Sequence, residues 1–134
     1  MVSRELLAIV EDLFFAVKIQ AAAKQAGINV RFVKTAEAAR AGAAEADLIV
    51  LDLNLKGLDV LGLIGELPGE KLIGFVSHVQ TELRQAAAAA GCRRVLARST
   101  FSDRLPAILQ GAQDAEGGAG VEGGAGGGEG VAGG

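Results

Sequence analysis

Two acidic sites follow short apolar runs in this sequence, and their positions suggest one shared pocket. Asp52 ends the run Leu48–Leu51, and Glu11 with Asp12 follows the similar run Leu6–Val10. Such runs are typical of buried parallel strands, whose carboxyl ends meet at the edge of the sheet where ligands bind in open α/β folds. Three carboxylates there repel one another unless a cation lies among them, and oxygen ligands suit a hard divalent ion such as Mg²⁺. The first hypothesis is therefore an acidic, metal-dependent pocket.

Two more polar groups stand at the ends of later apolar runs. Ser77 follows Leu72–Val76, and Arg98 follows the short run Val95–Ala97. The intervals between these groups and the acids each fit one or two strand–helix units. A plainer interpretation is that the acids are polar strand ends or helix caps, and Asp12 is well placed to be the N-cap of a first helix.

The strands that must position these groups are predicted from the apolar runs. Residues 6–10, 48–51 and 72–76 indicate central strands that are covered on both faces. The run Val30–Val33 includes an Arg, and residues 95–97 are short and flanked by Arg, so both indicate edge strands.

Helical patterns separate these strands. Five strand–helix units in succession predict an α/β fold, with a doubly wound five-stranded parallel sheet, right-handed crossovers and helices on both faces. Gly27, Pro68 and Gly91 stand where helices should stop. The predicted helices are 13–26, about 36–44 behind Thr35, about 60–66, 81–90, and a last one from after Ser102 to about residue 112 with Pro106 in its first turns.

The composition changes sharply near Gln113. From there to Gly134 the chain is almost entirely Gly, Ala, Val and acids, which predicts a flexible tail at 113–134 behind a folded domain at 1–112. The whole chain has 13 basic and 16 acidic residues, and four of the acids lie in this tail, so the domain is nearly neutral. Neither part suggests a nucleic-acid binder.

Other classes of protein are also disfavoured. One cysteine among 134 residues excludes an intramolecular disulfide and a multi-cysteine zinc site. The sequence has no signal-peptide core and no run of about 18 apolar residues, so we expect a cytoplasmic protein without a membrane segment.

These residues resemble the receiver domain of two-component response regulators, the CheY-like family, over about residues 5–112. The resemblance implies a flavodoxin-like sheet with strand order 2-1-3-4-5. It also implies that Asp52 is the phosphoacceptor, that Glu11, Asp12, Asp52 and the backbone carbonyl of Asn54 hold Mg²⁺, and that Ser77 binds the phosphoryl group. Arg98 stands where the family has Lys, and its planar fork differs from an ammonium in reach and geometry.

The resemblance implies a stand-alone signalling protein rather than an enzyme. Its partners would be proteins, either a sensor kinase or a downstream effector, and a homodimer stays open. One alternative is a phosphorylation-independent pseudo-receiver, in which Arg98 pairs structurally with Asp52. A flavodoxin-like nucleotide or flavin binder is less favoured, because two carboxylates after the first strand repel phosphate. Of the adjacent Phe14 and Phe15, one should face solvent or a partner, since neighbours on a helix cannot share a side.

Overall fold

A computed structural model describes residues 4–77 and 81–110 of the chain. Within those ranges, no helix has the length and apolar character that crossing a membrane requires. Strands and helices alternate, and a short 3-10 turn at Gly69–Lys71 precedes the fourth strand. The elements are β1 (Arg4–Ile9), α1 (Leu13–Ala26), β2 (Ile28–Val33), α2 (Ala36–Ala43), β3 (Leu48–Asp52), α3 (Val60–Ile64), β4 (Leu72–Val76), α4 (Thr81–Ala90), β5 (Arg94–Ala97) and α5 (Arg98–Leu109).

The strands form one five-stranded sheet in the order β2-β1-β3-β4-β5. Every neighbouring pair is parallel. This confirms the predicted doubly wound sheet of order 2-1-3-4-5, including the placement of β2 and β5 at its edges. All five residues of β4 are buried, which agrees with a central strand that is covered on both faces.

Side chains alternate between two apolar layers along each central strand. On one face, the buried core joins the strands to α2, α3 and α4, through Leu7, Ile49 and Leu72 of the sheet and Ala39, Leu63 and Ala87 of the helices. On the other face, Phe15 of α1 packs its ring against Phe75 of β4, with 4.6 Å between the ring centroids. The sheet is therefore covered on both faces by helices, as predicted.

The described chain forms one compact unit that runs to Asp103, and a second unit begins at Arg104. α5 thus begins in the first unit and ends in the second. All the predicted site residues lie in the first unit. The predicted boundary at residue 112 and the tail 113–134 lie outside the described residues and stay predictions.

α5 differs from the prediction. It begins at Arg98, directly after β5, and not after Ser102, so Pro106 lies inside the helix rather than in its first turns. The Ser102 hydroxyl, inside the helix, accepts a hydrogen bond from the Lys18 ammonium of α1, at 2.8 Å. This contact joins residues far apart in the sequence, so a local pattern could not reveal it.

Two glycines meet where the turn before β4 passes the turn before β5. A Cβ atom added to Gly69 would lie 2.1 Å from the carbonyl oxygen of Gly91. Gly91 itself has a φ of 120°, a conformation that side chains disfavour. The close approach of these two turns therefore depends on glycine at both positions, and it brings the starts of β4 and β5 together.

We predict that Gly69→Ala lowers the free energy of unfolding by about 1–3 kcal/mol, the usual cost of overpacking, because backbone atoms must move to admit the methyl group. Gly65→Ala is the matched control, since its Cβ would lie 3.5 Å from the nearest atom, an ordinary contact. Urea unfolding followed by far-ultraviolet circular dichroism measures both. Equal stability of the two variants would contradict the close approach.

Candidate functional site

Asp52, the last residue of β3, is a buried carboxylate at the carboxyl edge of the sheet. Its residue exposure is 7%, and among residues 4–77 and 81–110 it is the only polar or charged residue that is buried. The backbone N–H of Asn54 donates a hydrogen bond to its Oδ1 atom at 2.9 Å. Burial raises the pKa of Asp52, the Asn54 N–H and the charge of Arg98 oppose this, and the charges of Asp12 and Glu11 add to it. The three predicted acids therefore interact electrostatically at one edge.

Asp12 is the N-cap of α1, as the plainer interpretation of the sequence suggested. Its Oδ1 atom accepts hydrogen bonds from the backbone N–H groups of Phe14, at 2.9 Å, and Phe15, at 3.3 Å. Its Oδ2 atom accepts a hydrogen bond from the Arg98 guanidinium and forms an ion pair with it. The hydrogen bond from Arg98 is the main cause that lowers the pKa of Asp12, and the backbone N–H of Phe15 contributes. Both carboxylate oxygens of Asp12 thus have partners.

Arg98, the first residue of α5, is held on two sides. Besides its ion pair with Asp12, its guanidinium lies over the ring of Phe15, 4.7 Å from the ring centroid. The structure therefore places Arg98 against Asp12, whereas the pseudo-receiver alternative had paired it with Asp52. The physical reason is the N-cap geometry: Asp12 turns one oxygen to the helix amides and leaves the other open towards the end of β5.

Asn54 connects the loop after β3 to the end of β4. Its backbone N–H holds Asp52, and its side-chain Oδ1 accepts a hydrogen bond from the backbone N–H of Ser77 at 2.7 Å. The sequence had suggested a role for the backbone carbonyl of Asn54 only. Its side chain instead fixes Ser77 relative to Asp52, and the residue type and its position two after Asp52 are the signals that could have indicated this. Ser77 and Asp52 are thus brought to one edge, as predicted.

A layer of three buried rings lies beneath the charged groups, and the sequence interpretation missed it. Phe75 and Phe101 have ring centroids 4.9 Å apart, and Phe15 lies 5.6 Å from Phe101. Phe75 is also the register partner of Asp52 across β3 and β4. These three are among only five Phe residues in the chain, so their concentration here is a signal that composition alone could not locate.

The predicted metal site can be tested against these contacts. The donors, carboxylate and amide oxygens, are of the type that Mg²⁺ prefers. Among residues 4–77 and 81–110, however, no group of three or more Asp, Glu, His or Cys residues is arranged to hold a metal ion. Both oxygens of Asp12 are hydrogen-bonded, and Glu11 is exposed. The arrangement does not fit a divalent ion, because the Arg98 guanidinium already binds the Asp12 oxygen that the helix amides leave open.

The same contacts argue against a phosphate-binding loop after β1. In nucleotide and flavin binders, the backbone N–H groups at the start of the first helix point at a phosphate. Here the N–H groups of Phe14 and Phe15 are already bonded to Asp12, and the carboxylate repels an anion at that position. The start of α1 is therefore closed to a phosphate by an internal anion.

Comparison with known proteins gives a likeness at the level of structure. No protein-family model matches the sequence, and no curated protein matches it. Solved structures do match. A receiver domain protein (CheY-like) from Methanospirillum hungatei is 17% identical, with a TM-score of 0.71 over 85% of this chain and 96% of that chain. The response regulator receiver domain from Rhodospirillum rubrum is 19% identical, with a TM-score of 0.64 over 82% and 94%.

A third likeness is to the phosphorylated cyanobacterial phytochrome response regulator RcpA, at 17% identity and a TM-score of 0.67, over 84% of this chain and 93% of that chain. Each of these likenesses covers more than four fifths of this chain and more than nine tenths of the matched chain. The chain therefore has the CheY-like receiver fold, which confirms the fold that the resemblance implied.

We predict that Asp52→Asn and Asp12→Asn change stability in opposite directions at pH 7. Folding raises the pKa of Asp52 above its ordinary 3.8, so the stability that its carboxyl contributes is present below that pH and is lost as the pH rises through the folded value. A neutral amide should therefore increase the free energy of unfolding. Folding lowers the pKa of Asp12, so the stability that its carboxylate contributes is present above pH 3.8 and is lost as the pH falls through the folded value. Asp12→Asn should therefore decrease the free energy of unfolding at pH 7.

Urea unfolding of both variants and the parent protein, at pH 7 and near pH 3 with a chelator present, measures these differences. Asn retains an N-cap oxygen at position 12, so the comparison isolates the charge. Both differences should shrink at the lower pH. A loss of stability in Asp52→Asn at pH 7 would contradict the assigned cause of its pKa shift.

Proposed function

We propose that this chain is a receiver-like signalling protein of the two-component type, which acts by binding other proteins and accepts a phosphoryl group on Asp52. The observation that carries the proposal is the buried Asp52 carboxylate at the carboxyl end of the central strand β3, beside Ser77 and Arg98, in a sheet of order 2-1-3-4-5. Ligands bind at this edge in open α/β sheets. The role we assign is binding and switching rather than turnover of a substrate.

The step at Asp52 is a nucleophilic displacement at phosphorus. An oxygen of the ionised carboxylate attacks the phosphorus of a phosphodonor, an acyl phosphate forms, and the bond to the donor's leaving group breaks with its electron pair. The Asn54 N–H, which donates to Oδ1 of Asp52, leaves Oδ2 as the attacking atom. The product carries more negative charge than the carboxylate did, in a place where burial already disfavours charge.

Two residues are placed to stabilise the added negative charge of the phosphoryl group. Ser77 is held near Asp52 through Asn54, so we assign its hydroxyl to a phosphoryl oxygen. Burial raises the pKa of Asp52, and the charge of Arg98 opposes that rise. We therefore assign Arg98 to the phosphoryl group, which would be its second anionic partner besides Asp12. The resemblance also implies Mg²⁺, but the contacts of Asp12 do not fit a divalent ion, and no step above depends on one.

We predict that a small phosphodonor adds one hydrolysable phosphoryl group to the protein, and that Asp52→Asn abolishes the addition. Intact mass spectrometry at pH 7, with and without Mg²⁺, measures the adduct. Asp59→Asn is a matched control, because Asp59 is an exposed carboxylate that caps α3. An adduct that persists in Asp52→Asn, or no adduct under either condition, would contradict the assignment of Asp52.

A second candidate function is a phosphorylation-independent interaction module, and the exposed face of α1 favours it. Phe15 is buried, whereas Leu13, Phe14 and Val17 are 80%, 87% and 67% exposed. This outcome agrees with the prediction that one of the two adjacent Phe residues faces outward. The three exposed side chains lie within about one turn of the helix and form one apolar patch, the α1 patch. Apolar side chains exposed together, rather than singly, are a mark of an interaction surface.

We predict that the two functions separate in a capture experiment from the source organism's lysate. The baits are the parent protein, Asp52→Asn and the double variant Leu13→Ser with Phe14→Ser, each identified by mass spectrometry of retained proteins. Partners lost with the α1 patch but retained by Asp52→Asn, with the parent protein phosphorylated or not, indicate the second function. Partners whose retention follows phosphorylation of Asp52 indicate the first. Retention by all three baits would contradict a role for either surface.

A further inference from the structure

The positive charge at the acidic edge is fixed in place by the chain itself. Arg98 follows β5 without a loop, so its backbone is set by the end of the sheet. Its guanidinium donates to Oδ2 of Asp12 and lies over the Phe15 ring. Phe15 is also the residue whose N–H donates to Oδ1 of Asp12. Three groups thus form a closed set in which each contacts the other two.

This set has a rigid floor. The Phe15 ring packs on Phe75 and Phe101, and the exposures of these three residues are 5%, 1% and 0%. A cation over an aromatic face gains most where water is partly removed, and the Arg98 side chain is 31% exposed. The guanidinium is consequently held by a buried aromatic layer as well as by a carboxylate, which an exposed surface pair would lack.

The charges around Asp52 agree with a role of Arg98 as the compensating cation. Asp12 and Glu11 disfavour the ionised form of Asp52, whereas Arg98 favours it. In metal-binding acidic pockets, a divalent ion supplies that compensation. Here the guanidinium supplies it, and it uses the Asp12 oxygen that a metal ion would need.

We propose that Arg98 is a built-in counter-ion that takes the place of a divalent cation at the acidic edge and competes with such a cation for Asp12. This inference stands on the contacts of Asp12, Arg98 and Phe15, whatever Asp52 carries, and so it does not rest on the proposed function. Because a guanidinium keeps its charge at all physiological pH values, a change of pH within that range does not release Asp12.

The test is a titration with Mn²⁺ alone, which prefers the same oxygen ligands as Mg²⁺ and can be followed by electron paramagnetic resonance of the free ion. The proteins are the parent, Arg98→Met, Asp12→Asn and the double variant Arg98→Met with Asp12→Asn. Met retains an unbranched side chain that can pack on the Phe15 ring but has no charge. We expect Arg98→Met to bind Mn²⁺ at least about tenfold more tightly than the parent, a difference of about 1.4 kcal/mol.

The double variant should lose this gain, because Asp12 is the contested ligand. Equal Mn²⁺ affinity of the parent and Arg98→Met, whether both bind or neither does, would overturn the proposal, and so would a gain that survives in the double variant. Circular dichroism and urea unfolding establish that each variant is folded. If Arg98→Met does not fold, Arg98→Lys replaces it. Lys keeps the charge but lacks the planar fork, so it should hold Asp12 less firmly and bind Mn²⁺ more tightly than the parent.

The failure of this inference is distinguishable from the failure of the proposed function. Phosphoryl transfer to Asp52 is read by intact mass, whereas competition at Asp12 is read by Mn²⁺ affinity without any phosphodonor. Equal Mn²⁺ affinities of the parent protein and Arg98→Met, with a phosphoryl adduct on the parent protein, would overturn the counter-ion proposal but not the assignment of Asp52 as phosphoacceptor. A tenfold gain in Mn²⁺ affinity in Arg98→Met, with no phosphoryl adduct on the parent protein, would support the counter-ion and overturn the assignment of Asp52 as phosphoacceptor.

Discussion

The convergence of carboxylates at one edge of a parallel sheet is the constraint on which the rest of this structure depends. Parallel neighbouring strands end at the same edge of a sheet, so Asp52 at the end of β3 and the acids after β1 necessarily come close. Their mutual repulsion is offset by three kinds of donor: the backbone N–H of Asn54, the first amides of α1, and the guanidinium of Arg98. Each donor belongs to a different segment, and so the edge ties the ends of β1, β3 and β5 together electrostatically.

Apolar packing makes this edge possible. The rings of Phe15, Phe75 and Phe101 bring α1, β4 and the first turn of α5 into contact under the charged groups. On the opposite face, Gly74 of β4 leaves room for Leu53, since a Cβ there would lie 3.2 Å from the Leu53 side chain. Leu53 is therefore buried directly after Asp52, and its N–H continues the ladder to Phe75. The Asp52 carboxylate is thus positioned by buried residues next to it in the sequence, Leu51 and Leu53, and by Phe75 on the neighbouring strand.

The sequence predicted what depends on local pattern and period. Continuous apolar runs identified the central strands, and mixed runs identified β2 and β5 as edges, because burial on two faces leaves a readable composition. Helix ends at Gly27 and the cap at Thr35 were also readable. Arg98 was expected at the edge, but its partner was not, since the pair joins residues 86 positions apart. The start of α5 was wrong for the same reason: its first turn is set by tertiary contacts and has no capping signal.

One residue links the acidic edge to the exposed face of α1. Asp12 binds Arg98 with one oxygen and the amides of Phe14 and Phe15 with the other, and Phe14 lies in the α1 patch. A change in what Arg98 binds therefore changes the partners of the carboxylate that caps α1, and the α1 patch begins at the next residue, Leu13. Linkage between two binding sites is reciprocal. If an anion on Asp52 draws Arg98 away from Asp12 and thereby changes the affinity of the α1 patch for a partner, that partner must change the affinity of the acidic edge for the anion by the same factor. The two candidate functions thus share a single structural element, the N-terminus of α1, which contacts Arg98 through Asp12.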